Sequence, residues 1–420
     1  MILSKFGEKF TRKTGILQLM DDLGSALTSD KPINMLGGGN PAVIPEANAI
    51  FQHSFDALAD QFLHSVGNYS TPQGDKAFIE ALAHFLNRHY GWDVSAKNIA
   101  LTNGSQNAFF YLFNLFSGEY ADGSVKKILL PLAPEYIGYA DVHVDGSHFT
   151  ASKPVIEEVT YQGQSGFYKY HVDFNRLKVD DSIGAICCSR PTNPTGNVLT
   201  DEEMEKLMAL AKQNDIPLII DNAYGLPFPN ILFVEASQIW NKHIIMCLSL
   251  SKIGLPGLRT GIVIADEPII EAISALNAIV NLSPTRFGAT VATSLLENDS
   301  MKTLADQHVR SFYRKKVDYA IALLKKELGN TPMKIHRPEG AIFLWLWFPD
   351  LPMTSVKLYE QLKAAGTIII PGEHFFPGID QIEHYRHAHE CIRMSYAQDD
   401  ETLEKGIAQI GEVVRRAYRQ

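Results

Sequence analysis

Short apolar runs alternate with helix-like patterns through the middle of the chain. Five of these runs have the length and the Ile, Leu and Val content of buried strands: 127–130, 183–188, 216–220, 244–248 and 261–265. Apolar residues are nearly continuous in them rather than alternating with polar ones. We therefore expect strands that are covered on both faces, as in a mostly parallel sheet flanked by helices.

A helix is predicted between the second and third of these runs. Thr200 and Glu203 have the spacing of a capping box, and apolar residues at helical spacing follow at Met204, Leu207, Met208 and Ala211. Strand, helix and strand at this length form a βαβ unit, and repeated units give a mostly parallel sheet. Only residues 249–260 separate the last two runs, which allows one of those strands to run antiparallel.

The C-terminal part follows a different pattern. It predicts a long amphipathic helix over 306–328, a strand near 341–348, a helix over 355–365 and a strand over 367–371. The chain has 420 residues, whereas a single core stops growing at roughly 250–300 residues. We therefore predict an α/β fold with a large domain over 46–300 and a smaller α+β domain formed by 1–45 and 301–420.

Composition narrows the possible classes of function. The net charge is −9 and no run of lysine or arginine forms a basic stripe, which argues against a nucleic-acid partner. No apolar run approaches the roughly 18–20 residues of a membrane span, and the N-terminus lacks the apolar core of a signal peptide. Cys187, Cys188, Cys247 and Cys391 do not have the spacing of a disulfide framework. We expect a cytoplasmic globular protein without a membrane partner.

Polar residues follow several predicted strands. Gly104, Ser105 and Gln106 come after a short strand at 99–101 and open a helix, whose free N–H groups suit a phosphate. Asn193 lies between two prolines and ahead of a glycine, in a turn that would aim it over the sheet edge. Ligands of parallel α/β sheets bind beyond the carboxyl ends of the strands.

Two further strand ends carry charged groups. Asp221 ends the run 216–220, with Tyr224 three residues later, and a carboxylate in that position needs a cation or a strong donor. Lys252 closes the sequence Ser-Leu-Ser-Lys, and Arg259 follows seven residues beyond. Each feature alone also suits an ordinary turn, cap or ion pair. In this order, they would assemble an anion cradle, a carboxylate, hydroxyl donors and an amine.

This ordered set resembles the fold-type I, class I and II aminotransferases. The resemblance covers essentially the whole chain and is carried further by residues 101–116, 131–141, 189–198, 221–229 and 338–348. It implies a pyridoxal 5'-phosphate cofactor, a large-domain sheet of the seven-stranded type, and a homodimer. Among the members of the family, the resemblance points to transfer between valine or alanine and pyruvate or 2-oxoisovalerate by a ping-pong mechanism.

The resemblance also implies roles for individual residues. Lys252 would hold the cofactor as a Schiff base and then shuttle the proton of the substrate α-carbon. Asp221 would keep the pyridine nitrogen protonated, which makes the ring a better electron sink. Tyr224 and Asn193 would hydrogen-bond the ring oxygen, and Tyr136 would stack on the ring.

Two anion sites follow from the same resemblance. The cofactor phosphate would be bound by Gly104, Ser105, Gln106, Ser249, Ser251 and Arg259, and Tyr69 would reach the phosphate of the neighbouring subunit. Arg393 would bind the α-carboxylate of the substrate through its planar guanidinium, with Asn193 and Gly39 beside it.

Other classes stay open at this point. A pyridoxal-phosphate lyase of the same fold would share nearly every cofactor residue. A ligand-sensing regulator built on the fold would usually carry a DNA-binding domain, and neither a helix-turn-helix nor a basic region stands at the N-terminus. His384, His387, His389 and Cys391 have a spacing that zinc could use but lack a clear ligand pattern, so we predict no metal. A nicotinamide dehydrogenase is disfavoured because residues 37–39 lack the G-x-G-x-x-G spacing.

Overall fold

Strands and helices alternate along the part of the chain that the computed structural model describes, residues 2–11, 17, 20–21, 24, 33–59 and 61–419. The strands are β1 Asn34–Met35, β2 Ile99–Thr102, β3 Gly118–Glu119, β4 Val125–Leu130, β5 Phe149–Ala151, β6 Val155–Tyr161, β7 Gln164–His171, β8 Ile183–Ser189, β9 Leu218–Asp221, β10 Ile244–Ser249, β11 Gly261–Ile264, β12 Lys334–His336, β13 Phe343–Trp347, β14 Thr367–Ile368, β15 Ile370–Pro371 and β16 Cys391–Ser395. The α-helices are α1 Lys5–Thr11, α2 Pro45–Asp56, α3 Gln61–Gly67, α4 Lys76–Tyr90, α5 Ser105–Phe116, α6 Asp201–Gln213, α7 Glu267–Val280, α8 Phe287–Glu297, α9 Ser300–Thr303, α10 Arg310–Leu328, α11 Ser355–Ala364, α12 Arg386–His389 and α13 Asp400–Ala417.

A mixed sheet forms the centre of the molecule. Its strand order is β2-β11-β10-β9-β8-β4-β3, and β5 also pairs with β4. Strands β4, β5, β8, β9 and β10 are parallel to their neighbours in this group, whereas β11 runs antiparallel to both β10 and β2. Every residue of β8 to β11 is buried, as continuous apolar runs require. The predicted mostly parallel sheet and the allowed antiparallel strand are both confirmed.

Helix α6 shows how the sequence sets the βαβ units. The side chain of Thr200 accepts from the N–H of Glu203, and the side chain of Glu203 accepts from the N–H of Thr200, which is the predicted capping box. Met204, Leu207 and Ala211 are buried on one face of the helix. The strand that follows begins at residue 218 rather than 216, because a proline at 217 has no N–H to donate to the ladder.

A second sheet has the order β15-β16-β13-β12-β7-β6. Its strands β6 and β7 form a hairpin from the middle of the chain, and β7 pairs in parallel with β12. The hairpin lies within the range 46–300 that was assigned to the large domain, so this range contributes to both sheets. Strand β1 pairs with β14, which joins the N-terminal part to the C-terminal part. The domain division itself stays a prediction.

The long C-terminal helix differs from its predicted form at its start. The turn Leu304–Val309 is π-helical and leads directly into α10. Such turns occur inside α-helices as single insertions. The predicted strand and helix that follow are found as β13 and α11, and the last predicted strand is divided into β14 and β15.

The cysteines and the histidines near the C-terminus carry no cross-link or metal cluster in the described residues. All four cysteines are free and buried, as their spacing predicts. In the same described ranges, no group of three or more His, Cys, Asp or Glu side chains is placed to hold a metal ion. His384 is exposed, whereas His387 is buried and its ring nitrogen lies 2.5 Å from the hydroxyl of Tyr170. No described helix is long and apolar enough to cross a bilayer.

A buried ion pair fastens the second sheet to a loop of the first. Lys169 of β7 pairs with Glu339 and also donates to the side chain of Asn197 (3.1 Å) and the carbonyl of Val198 (2.9 Å). Glu339 accepts from the N–H of Val198 (2.9 Å) and from Arg337 (2.8 Å). Lys169 and Glu339 are at most 2% exposed. These contacts hold the loop after β8, which contains the predicted site residue at 193, against the second sheet.

Glu339→Gln should lower the free energy of unfolding by about 3–5 kcal/mol, because it leaves a buried lysine without its anion. The measurement is chemical denaturation of the purified variant. Glu202→Gln is the matched control, since Glu202 forms an exposed pair with Lys206 and such pairs contribute under about 1 kcal/mol. Equal losses in the two variants would contradict the structural role of the buried pair.

Candidate active site

Several of the predicted site residues lie at the carboxyl edge of the central sheet. Strands β8, β9 and β10 are adjacent and parallel, and Ser189, Asp221 and Cys247 lie at neighbouring positions of the ladder. The helix α5 starts nearby, because β2 is joined to β10 through β11. Parallel strands therefore bring together side chains that are far apart in the sequence.

Lys252 follows β10 and points its amine at a backbone carbonyl. Its Nζ donates to the carbonyl oxygen of Gly39 over 2.6 Å and lies 5.6 Å from the ring centre of Tyr224. Burial, together with the charges of Arg393 and Arg259, lowers the pKa of Lys252 to about 8, while Asp221 opposes this shift. An appreciable fraction of this amine is therefore neutral and nucleophilic near neutral pH.

Asp221 ends β9 as a buried carboxylate. Its Oδ2 accepts from the hydroxyl of Tyr139 over 2.7 Å, and its Oδ1 accepts from the N–H of Ala223 over 3.1 Å. Burial raises the pKa of Asp221, whereas these two donors and the charge of Lys252 lower it. The side chain is thus held by donors on one side and faces a cation on the other, as a buried anion requires.

Arg393 of β16 brings the second sheet into the site. Its guanidinium donates to the side-chain oxygen of Asn193 (2.8 Å) and to the carbonyl of Gly37 (2.7 Å). The guanidinium carbon lies 4.1 Å from the ring centre of Phe343 and 5.2 Å from that of Phe375. Burial lowers the pKa of Arg393 to about 10, so it stays a cation at neutral pH. Its Nε–H is buried and has no acceptor, so this donor is available to an anionic ligand.

The residues of the predicted anion cradle lie around the start of α5. Ser105 and Gln106 are the first residues of the helix, where N–H groups have no intrahelical acceptor. Gly104 has a φ of +88°, and a Cβ there would collide with the guanidinium of Arg259. The hydroxyl of Ser249, which lies in β10 next to the loop, donates to the hydroxyl of the serine two residues later, Ser251, over 3.0 Å.

Two tyrosines lie close to the charged groups of the site, Tyr136 near Asp221 and Arg259 and Tyr224 near Lys252. Tyr136 packs edge-to-face against Tyr139, with ring centres 5.4 Å apart. Tyr224 is buried and packs edge-to-face against Phe343 at 6.1 Å. Tyr69 is different, because 79% of its surface is exposed and no hydrogen bond joins it to the other candidate residues within the described chain.

Sequence reasoning missed three residues that contact this site. Tyr139 donates to Asp221, and its hydroxyl lies 3.4 Å from that of Ser189. Ser189 in turn contacts Glu135 through both its N–H (2.9 Å) and its hydroxyl (2.5 Å). The motif 134–139 contains both Glu135 and Tyr139, but the family resemblance implies a role only for Tyr136. Because the contacts join different strands, spacing alone could not show them.

Comparisons with known proteins agree with this geometry. A sequence profile of the family "Aminotransferase class I and II" matches residues 45–410. The chain is 48% identical over 422 residues to the valine–pyruvate aminotransferase of Escherichia coli (strain K12), and the match covers 100% of both chains. A crystal structure from Psychrobacter arcticum 273-4, of a candidate amino-acid aminotransferase, has a TM-score of 0.98 at 59% identity and covers 100% of both chains.

A second crystal structure extends the comparison. The valine–pyruvate aminotransferase from Salmonella typhimurium LT2 has a TM-score of 0.88 at 46% identity, and the match covers 97% of this chain and 100% of that chain. The range matched by the family profile, residues 45–410, includes both sheets and the candidate site residues from Tyr69 to Arg393. The chain therefore belongs to the class I and II aminotransferases, which use pyridoxal phosphate.

Proposed function

We propose that this protein is a valine–pyruvate aminotransferase, which exchanges an amino group between valine or alanine and pyruvate or 2-oxoisovalerate. The relative from Escherichia coli is identical at 48% of positions over the whole chain, and its name supports valine and pyruvate as substrates. The observation that carries the proposal is a buried arginine with an unused donor beside a lysine of lowered pKa. In this pair, the arginine suits the carboxylate of a substrate, and the lysine offers an amine that can react with a carbonyl group.

The described residues fit pyridoxal phosphate. The cradle at Gly104 and Arg259 offers N–H groups, hydroxyls and a guanidinium to a phosphate. A side chain at position 104 would collide with the guanidinium of Arg259, so glycine is required there. Asp221 offers an anion to a pyridinium nitrogen, and Lys252 offers a nucleophilic amine. When bound, the cofactor supplies an electrophilic carbonyl and a ring that stabilises negative charge on the substrate α-carbon.

Lys252 would serve as both the attachment point and the proton carrier. Its amine is neutral in part at neutral pH, because burial and the cations Arg393 and Arg259 disfavour its charge. The carbonyl of Gly39 holds the amine by one hydrogen bond and fixes its direction before substrate binds. Once free, the amine can accept the proton of the α-carbon and return it at another atom.

Arg393 would hold the substrate carboxylate. Its planar guanidinium suits a carboxylate, and two phenyl rings keep that plane in place. The side-chain oxygen of Asn193 accepts a hydrogen bond from one nitrogen of Arg393, so the other N–H groups are the ones that remain for a ligand. The low polarity around the two rings also strengthens the ion pair with a substrate.

The surroundings of Arg393 and Lys252 favour an apolar substrate side chain. The rings nearest these two cations are those of Phe343 and Phe375 at Arg393 and of Tyr224 at Lys252. None of the three carries a positive charge that could pair with a second carboxylate of a substrate. A substrate with a second carboxylate would have to bury it against aromatic rings, which costs free energy. A small aliphatic amino acid fits this environment.

A lyase of the same fold remains the alternative, and product analysis distinguishes the two.

The oligomeric state and the location of the protein in the cell are also proposals. We propose a homodimer, since Tyr69 is mostly exposed and Phe55, Phe62, Leu63 and Val66 expose large apolar surfaces close to it in sequence. Phe55 and Phe62 also pack edge-to-face with each other at 6.2 Å, which makes them one patch. We propose a cytoplasmic location, with which four free cysteines are compatible; cell fractionation that places the protein elsewhere would refute it.

The central test is the absorbance spectrum of the purified protein after incubation with pyridoxal phosphate. We expect a visible band that changes when valine is added, with one 2-oxoisovalerate formed for each valine consumed. Lys252→Ala should lose turnover while it still binds the cofactor through the phosphate cradle. Release of ammonia from the substrate would indicate a lyase, and a protein that never becomes coloured would refute cofactor binding.

The lowered pKa of Lys252 can be measured in the protein without cofactor. Acylation by a neutral reagent at a series of pH values, followed by mass spectrometry, should show Lys252 reacting with a midpoint at about 8. An ordinary exposed lysine titrates near ~10.4. Arg393→Gln should raise the midpoint, because it removes a cation that lowers the pKa. A Lys252 midpoint near the ordinary value in the wild type would contradict this.

The homodimer is tested by light scattering at micromolar concentration. The expected mass is about twice the 46.7 kDa of one chain. Leu63→Asp, which places a charge on the exposed apolar patch, should shift the mass toward that of one chain. Val155→Asp is the matched control, because Val155 is also exposed but lies in β6, at the edge of the second sheet. A wild-type mass of one chain would refute the dimer.

A further inference from the structure

A glycine segment, residues 37–39, connects the two cations of the site. Arg393 donates to the carbonyl of Gly37 over 2.7 Å, and Lys252 donates to the carbonyl of Gly39 over 2.6 Å. Two residues of extended chain span at most about 7 Å, so one small amino acid can reach both cations. A substrate whose carboxylate binds Arg393 and whose α-proton is taken by Lys252 therefore lies along the glycine segment.

The glycine segment is held on both sides. Before it, the carbonyl of Leu36 accepts from the N–H of Ser395 over 2.6 Å, in the strand that also carries Arg393. After it, the N–H of Ala42 donates over 2.7 Å to the hydroxyl of Tyr313, a buried residue of α10. The second sheet and α10 thus fix this stretch of backbone, and a ligand has to fit the space that it leaves.

The usual reasons for a glycine do not apply at position 39. None of the three glycines has a positive φ, so the backbone conformation does not require them. Packing explains Gly37, because a Cβ there would lie 3.0 Å from the side chains of both Ile368 and Ile370. A Cβ on Gly39 would have one heavy atom within 4 Å in the described part of the chain beyond its own sequence neighbours, the Nζ of Lys252 at 3.9 Å.

The open space at Gly39 therefore lies beside the amine that reacts. The α-carbon of a substrate has to come within about 3–3.5 Å of that amine for proton transfer. We propose that Gly39 is a specificity-determining residue, whose missing side chain leaves room beside Lys252 for the branched side chain of a valine-sized substrate. This role rests on the proposed function, because it explains how the site admits an amino acid that is branched at its β-carbon.

The space at Gly39 can be measured without cofactor or substrate. The protein is treated with an equimolar mixture of acetic anhydride and isobutyric anhydride, whose acyl group carries the isopropyl group of valine. Mass spectrometry then gives the ratio of the two products on Lys252. Gly39→Ala should lower the ratio of isobutyryl to acetyl product on the order of tenfold, because one added methyl group narrows the space. Any change in the reactivity of the amine itself affects both reagents and cancels in the ratio.

Gly38→Ala is the matched control. It adds the same methyl group one residue away, where the Cβ would lie 3.6 Å from Cγ of Met35 and more than 4 Å from Lys252. Its product ratio should equal that of the wild type. Gly39→Ala should also unfold at the temperature of the wild type, since its Cβ meets no packed group. A large loss of stability or an unchanged product ratio in Gly39→Ala would overturn the proposal.

Turnover with cofactor gives a second measurement. Gly39→Ala should lower kcat/KM for valine on the order of tenfold, whereas kcat/KM for alanine, which has a single methyl group, should stay within about threefold. Equal losses with the two amino acids would overturn the role of Gly39. A wild type that converts neither amino acid would instead refute the proposed function, and the acylation ratio would still test the space at Gly39.

Discussion

The buried carboxylate of Asp221 at the end of a fully buried strand is the constraint on which the rest of the site depends. An anion in that position costs free energy unless donors and cations surround it. Tyr139 and the N–H of Ala223 supply the donors, and Lys252 supplies the charge. The pKa of the neighbouring amine of Lys252 is lowered by burial and by the charges of Arg393 and Arg259, against the opposing charge of Asp221. One buried carboxylate and the groups around it therefore organise this edge of the sheet.

The second constraint is that the site requires both sheets. Arg393 belongs to β16, yet its guanidinium is held by Asn193 from the loop after β8 and by the carbonyl of Gly37. That loop is fastened to the second sheet by Lys169 and Glu339. Gly196 in the same loop has a φ of +70°, and a Cβ there would lie 2.5 Å from the carbonyl of the residue at 340. Close backbone packing between the sheets therefore sets the position of Arg393 relative to Lys252.

Much of the central sheet could be predicted because its signals are local. Continuous apolar runs mark strands that are buried on both faces, and the capping box at Thr200 marks where a helix begins. The order of the polar residues that follow these strands resembles one enzyme family, and the comparisons confirm that family. The hairpin β6–β7 could not be predicted as part of the second sheet, since its partner β12 lies more than 160 residues later. Long-range strand pairing leaves no local pattern in either segment.

Most elements of the central sheet, the family and a set of candidate site residues could be predicted from the chain alone, because hydrophobic periodicity, caps and ordered motifs are properties of neighbouring residues. Only the tertiary structure decided the charge states and the contacts. Burial and groups from other parts of the chain lower the pKa of Lys252 to about 8, and burial raises the pKa of Glu135 to about 8. Burial and charge neighbours are set by packing between distant segments. The carboxyl of Glu135 therefore has a raised pKa that its neighbours in sequence could not indicate.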